Sequence, residues 1–275
     1  MYVFEVIPIA RSLPHDSLSY FSVKEASAGS IVTVPLRKQK VRAIVIGVTS
    51  VKDIKSQLKH AHYQIRNVSE IHKEQVFSPV YLQTARKIAA YYAVPLGKIL
   101  NLITPSALLK DLEAFAQKNT QRPTGEMAVS QKISQQKKVD RIVFYRTLIR
   151  EQLFQNNSLQ IISPTVQHAQ YLMNELSRNT EDRFILLHGK ITKTKLKKIY
   201  QTLRDSDASW IIISTPSFID IQVPRKNKVI LEKESSSYYI NVGNPKIDMR
   251  LFISEYAKAA NIECIWADSV IRPET

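Results

Sequence analysis

Ser209-Trp210-Ile211-Ile212-Ile213 is a strand-length run whose last four residues are all apolar. A half-buried strand alternates apolar and polar residues, whereas a continuous apolar run is covered on both faces. That is the pattern of a parallel sheet between helices. Strand-like runs recur around it at Leu159–Ile162, Phe184–Leu187, Lys228–Leu231 and Glu263–Trp266. Between them lie segments of helical periodicity: Val139–Gln155, Val166–Leu176, Thr192–Leu203 and Ile247–Ala260. This alternation predicts a parallel α/β domain over residues 139–275. Ligands of such sheets sit at the carboxyl ends of the strands. Those ends read Ser163-Pro164, His188-Gly189, Ser214-Thr215 and Glu232–Glu234, with no convincing catalytic set.

The first 110 residues read differently. Tyr2–Ala10, Leu18–Val23, Ser30–Val34 and Val41–Val48 are rich in β-branched and aromatic residues, with Gly29-Ser30 and Arg37–Lys40 placed where hairpin turns fall. Short strands with no helix between them predict a small antiparallel barrel-like (OB-like) domain. A helix follows from Ser78-Pro79, where Ser caps and Pro occupies the first turn, and Tyr81, Ala85, Ile88 and Tyr92 share a face. A short second helix spans Leu96–Ile103. From Asp111 to Lys138 the chain turns to Gln, Lys, Ser, Thr and Asn, which reads as a linker. The expected domains are therefore 1–110, a linker at 111–138, and 139–275.

With 275 residues and 44% apolar content, the chain has material for two modest cores. A formal net charge of +15 selects polyanionic partners, nucleic acid before anionic membrane. The lone Cys264 excludes an intrachain disulfide and reads as a buried strand thiol. Met1–Ala10 lacks a charged leader, and no apolar run approaches the ~20 residues that span a bilayer, so a cytoplasmic protein with no membrane partner is expected.

An ATPase needs glycines whose neighbouring N–H groups cradle phosphates, then Lys and Ser/Thr. Gly97-Lys98 is followed by Ile99 and Gly189-Lys190 by Ile191, and neither has the required upstream glycine. No cofactor is expected. His60 and His62 alternate as strand ligands do, but no Cys or acidic cluster accompanies them, so no metal site is expected.

The order of landmarks resembles the primosomal replication-restart helicase family. Phe4-Glu5-Val6-Ile7-Pro8 is followed by Leu18-Ser19-Tyr20, then by Gly29-Ser30-Ile31-Val32-Thr33-Val34-Pro35-Leu36, then by Tyr91-Tyr92-Ala93-Val94-Pro95-Leu96-Gly97. The resemblance implies an N-terminal barrel-like module that captures the 3′ end of a nascent DNA strand. The family's aromatic-acidic pair, glycine and basic residue around the terminal nucleotide align with Leu18, Ser19, Arg37 and Arg66. Weaker discrimination of a free 3′-OH is therefore expected.

The C-terminal part resembles the first RecA-like half of the helicase, through Leu187-His188-Gly189, Ser214-Thr215-Pro216-Ser217 and Glu274-Thr275. The family's acidic box aligns with Leu231-Glu232-Lys233-Glu234, its coupling motif with Ala267-Asp268-Ser269-Val270, and its phosphate loop with the glycine-free Val139–Tyr145. The second RecA-like half, the zinc-binding region and the C-terminal domain have no counterpart here. These departures imply a non-catalytic DNA-binding protein with a pseudo-ATPase scaffold, and no enzyme.

Candidate DNA contacts are Leu18, Ser19, Tyr20, Arg37, Lys38, Lys40, Arg42 and Arg66. Flexible cations in and after a hairpin turn can track phosphates, while Tyr20 or Leu36 packs on a base. The plain alternative is a solvated hairpin. Tyr92 reads as core. Lys190, Lys193, Lys195, Lys197 and Lys198 at a helix start are balanced between phosphate binding and a solvated face. Glu232 and Glu234, with Lys233 between them, read as surface polar residues. The expected partners are single-stranded DNA, a 3′ end or a fork, together with replication-restart proteins. The rival readings are an ATP-dependent helicase subunit or nucleotide hydrolase completed by a partner chain, and a protein-interaction module.

Overall fold

The computed structural model describes residues 1–8, 17–52, 65–117, 131–178 and 180–273. His60, His62, Glu274 and Thr275 lie outside them. The chain divides into two compact units, Met1–Asn101 with Leu108–Gln117, and Leu102–Ala107 with Lys118–Thr275.

In the first unit, β1 (Tyr2–Pro8), β2 (Leu18–Ser22), β3 (Ser30–Leu36), β4 (Gln39–Ser50), β5 (Arg66–Asn67) and β6 (Glu70–Gln75) form one sheet in the order β5-β2-β1-β4-β3-β6. Alternate residues Phe4, Val6, Tyr20, Val32, Val34, Ala43 and Val45 pack into one core. The intervening Val3, Ile31, Ile44 and Ile46 are buried as well. That second face meets α1 (Pro79–Tyr91), whose Arg86 donates to Glu5 Oε2 at 2.9 Å and to the Ile46 carbonyl at 2.8 Å. Ser78 caps α1 by accepting from the Tyr81 amide, and Tyr81, Ala85 and Ile88 are buried along it. Tyr92 departs from the core reading, because it is the residue that ends the helix and lies half-buried, edge-on to Tyr91.

One segment draws the two edges of this sheet together. The Val68 amide donates to the Phe21 carbonyl and the Ser69 amide to the Thr33 carbonyl, both at 2.8 Å. The chain thus leaves the β2 edge as β5 and joins the β3 edge as β6 within a few residues, which curls the sheet into a barrel-like form. Neither strand was expected from sequence, since Arg66–Gln75 is polar except for Val68 and Ile71. Gly29, at φ +93°, has room for nothing larger: a Cβ there would lie 2.2 Å from the Phe77 carbonyl oxygen.

In the second unit, β7 (Gln131–Gln135), β8 (Ser158–Ile162), β9 (Phe184–Leu187), β10 (Ile211–Ser214), β11 (Lys226–Glu232) and β12 (Glu263–Asp268) are all parallel, in the order β7-β12-β11-β8-β10-β9. Ile211, Ile212 and Ile213 are each 0% exposed, so both faces of the sheet are covered as the apolar run requires. Each such side chain withdraws about 1.5–3 kcal/mol of hydrophobic free energy from water. Buried Gln160 on β8 is satisfied by donating to Ser214 Oγ and the Phe218 carbonyl and by accepting from Lys226 Nζ. The helices are α4 (Lys138–Phe154), α5 (Val166–Leu176), α6 (Lys193–Asp205) and α7 (Met249–Ala259); the shorter α2 (Leu96–Ile103) and α3 (Ser106–Lys110) precede them.

The architecture is a curled barrel-like sheet followed by a RecA-like parallel α/β sheet. Strand β7 lies inside the stretch expected to be a linker. It pairs with β12 from Gln131↔Cys264 to Gln135↔Asp268. Cys264 is buried, and that burial pushes its thiol up to about 12. Among the described residues no helix is long and apolar enough to cross a membrane.

Candidate functional site

The first unit offers a basic hairpin. Leu36 pairs with Gln39, so Arg37-Lys38 is a two-residue connection between β3 and β4. Arg37 takes φ 53°, a left-handed conformation that favours glycine, which accounts physically for a glycine at the aligned family position. Arg37, Lys38 and Lys40 are exposed. Lys40 and Arg42 project on the strand face opposite the core residues Val41 and Ala43.

Tyr20 is not placed to stack on a base. Its ring is 4% exposed in the core, and its hydroxyl donates to the Pro35 carbonyl at 2.9 Å, fastening β2 to the strand end that enters the hairpin turn. Packing of the apolar ring on Phe4 and Val34 explains the difference. Burial raises the Tyr20 phenol above its usual range, and the Arg66 cation opposes that rise. Arg66 is exposed on β5 directly beside Tyr20. The structure therefore gathers Tyr20, Arg66 and the base of the Arg37–Lys38 turn.

It separates Leu18 from Ser19. Leu18 packs on the inner core with Tyr20, while Ser19 points to the other face, opposite Glu5. Glu5 accepts from Ser17 Oγ at 2.7 Å and from Arg86. Arg42 differs from its hairpin neighbours, since Nη2 is paired with Glu113 Oε1 at 2.7 Å.

The second unit holds a constellation that sequence reasoning missed. Glu232 and Glu234 were expected at the surface; they are 2% and 0% exposed. Arg141 Nε and Nη2 each donate to Glu232 at 3.0 Å, Tyr145 Oη donates to Oε2, and His168 Nε2 donates to Oε1 at 3.1 Å. Burial alone would raise the Glu232 pKa, but the hydrogen bonds from His168, Arg141 and Tyr145 and the Arg141 charge outweigh it and hold the carboxyl at about 2. Glu234 accepts from Arg272 Nε at 2.6 Å and from the Arg272 amide. The partners lie far away in sequence, which is why the local string Glu232-Lys233-Glu234 gave no sign of burial. A clue was Arg141 on the helical face shared by Tyr145, Leu148 and Gln152.

This cluster stands where β8 and β11 are neighbours but their onward connections run to opposite sides of the sheet, the usual ligand position in such folds. Asp268 at the end of β12 is held below the ordinary carboxylate range: burial would raise it, but Ser235 Oγ–H and N–H and the Ser269 amide donate to it. Beyond β9, the His188 imidazole is lowered below its ordinary range by burial and by the charges of Lys195 and Lys190. Lys190, Lys193, Lys195 and Lys198 are exposed around the start of α6, which Thr192 caps. Among the described residues no group of three or more His, Cys, Asp or Glu has the arrangement of a metal site.

Residues 7–105 match the family described as the PriA 3′DNA-binding domain (3′BD). Replication restart protein PriA of Helicobacter pylori strain 26695 is 21% identical over 266 residues, covering 91% of this chain. Its counterpart in strain J99 is 20% identical over 261 residues, again covering 91%. The chain spans 40% of the length of either relative. A solved DEAD-box helicase, Mss116 bound to ssRNA and UDP-BeF, overlays on 52% of this chain and 27% of its own at 17% identity and TM-score 0.36, a likeness too slight to carry weight.

The expectation of no enzyme is corrected by these alignments. It rested on motif losses relative to the helicase family, yet two replication restart proteins of that family align through nine-tenths of the chain. A buried, ionised carboxylate also stands at the carboxyl end of β11. At about one residue in five identical, the spelling of short motifs does not support an exclusion. By these alignments the chain is similar to PriA along most of its length, and its residues 7–105 resemble the PriA 3′ DNA-binding domain.

Proposed function

We propose that the protein binds DNA 3′ ends or forks in replication restart, and that the first unit makes the contact. The observation that carries this reading is the match of residues 7–105 to the 3′ DNA-binding domain, on a barrel whose open hairpin presents Arg37, Lys38 and Lys40. Those three cations and Arg66 take the phosphates, supplying affinity without sequence preference. Leu18, packed on the inner core, supports the strand that carries Ser19. Ser19, on the outer strand face, offers a hydroxyl to the end nucleotide, while Glu5 across the ladder is engaged by Ser17 and Arg86. Tyr20 positions the hairpin and touches no base. The remaining partners of this reading are replication-restart proteins.

The test is fluorescence anisotropy of a labelled fork whose leading-strand end carries 3′-OH or 3′-phosphate, titrated with the full chain. Backbone-dominated binding predicts affinities within about threefold of each other, both falling steeply with salt. Failure to bind either fork near physiological salt would remove the proposal.

A further inference from the structure

Arg42 belongs to the basic hairpin by position, yet among the described residues it is the one of Arg37, Lys38, Lys40 and Arg42 whose cation meets a carboxylate. Its guanidinium lies 2.7 Å from Glu113, with the two side chains 46% and 35% exposed, so the pair is open to solvent. Glu113 is flanked by buried neighbours. It sits on a short 3₁₀ turn, Leu112–Phe115, whose Leu112 and Phe115 are 1% and 0% exposed. The following Gln117 is bonded to Gln75 and to the Val76 carbonyl. His72 Nδ1 lies 3.3 Å from the same Glu113 oxygen, and its Nε2 lies 2.9 Å from Thr33 Oγ1, the residue opposite Arg42. An anchored carboxylate therefore occupies the guanidinium of the fourth hairpin cation.

We infer that Glu113 is a built-in competitor for phosphate that withholds Arg42 from DNA and so sets the affinity of the hairpin. The inference rests on the DNA-binding reading above. A phosphate oxygen and a carboxylate oxygen satisfy a guanidinium with the same geometry, so only one of the two occupies Arg42 at a time. Arg37, Lys38 and Lys40 engage the backbone in the parent protein. Arg42 joins them once Glu113 loses its charge.

The experiment is a double-mutant cycle on the full chain, binding forked DNA between 50 and 200 mM salt. Glu113→Gln is expected to bind about three- to eightfold more tightly near 0.1 M salt, with a log–log salt slope steeper by about 0.9, the increment of one further phosphate contact. Arg42→Ala in the parent changes affinity by less than about twofold, and Arg42→Ala added to Glu113→Gln abolishes the gain. Equal binding and equal slope for parent and Glu113→Gln, or a gain that survives Arg42→Ala, would overturn the inference and leave the DNA-binding reading standing. If neither parent nor variant binds forked DNA, both fall together.

Discussion

Reversing the charge of Arg37, Lys38 and Lys40 together, each to Glu, is expected to weaken binding to forked DNA by on the order of 10²–10³-fold near 0.1 M salt. Each phosphate neutralised by a cation releases condensed counterions and contributes about 0.9 to the log–log salt slope on duplex DNA and about 0.7 on a single strand. Three contacts therefore carry a slope of about 2–3 and an affinity factor of a few hundred at that salt. The residues are exposed and lie in and just beyond a two-residue turn, so the protein loses binding without losing its fold. A matched reversal at Lys190, Lys195 and Lys198 controls for overall charge, which changes equally. The hairpin set should dominate. Equal losses from the two sets would mean that bulk charge does the binding.

Glu232→Ala is expected to destabilise the α/β unit by about 3–5 kcal/mol, because it strands the Arg141 guanidinium, 3% exposed, without its counterion. Tyr145 and His168 lose their acceptor in the same step. The measurement is denaturant unfolding followed by tryptophan fluorescence. Both tryptophans, Trp210 and Trp266, lie in this unit, so the signal reads it apart from the barrel.

Titration gives a second readout of the same carboxylate. Its pKa falls from an ordinary 4.5 to about 2 on folding, so it stabilises the folded unit fully above about pH 4.5, and the stabilisation is lost as pH drops toward 2. The shift corresponds to about 3 kcal/mol. In Glu232→Gln that acid-side loss should be smaller by about this amount. A loss below 1 kcal/mol for Glu232→Ala, or an unchanged acid profile for Glu232→Gln, would contradict the arrangement.

The parallel sheet was legible because burial on both faces writes itself into sequence as unbroken apolar runs. Trp210–Ile213 and Phe184–Leu187 needed no knowledge of their neighbours. The barrel was legible in β1 to β4 for the related reason that β-branched residues cluster there.

What closes the barrel was not legible. Arg66–Gln75 is polar, and its strand character comes from amides and carbonyls meeting Phe21 and Thr33, which no side-chain pattern records. Strand β7 hid in the same way, as an edge strand with four of its five residues polar. The buried carboxylates were hidden by distance: Arg141 and Tyr145 come from a helix some ninety positions before Glu232. Charge burial is a property of the assembled sheet end, so the local string there looked like surface. Among the proposed DNA contacts, the turn cations were visible as a cluster, whereas the Arg42–Glu113 pairing depends on a 3₁₀ turn some seventy residues downstream.

The central claim, that DNA is held by the barrel through the hairpin cations Arg37, Lys38 and Lys40, is tested most directly by amide hydrogen exchange of the full chain with and without forked DNA. The account predicts slowed exchange on DNA binding in peptides covering residues 36–42 and 66–69, with little change around Glu232. Protection confined to residues 131–273, with the hairpin unchanged, would contradict it.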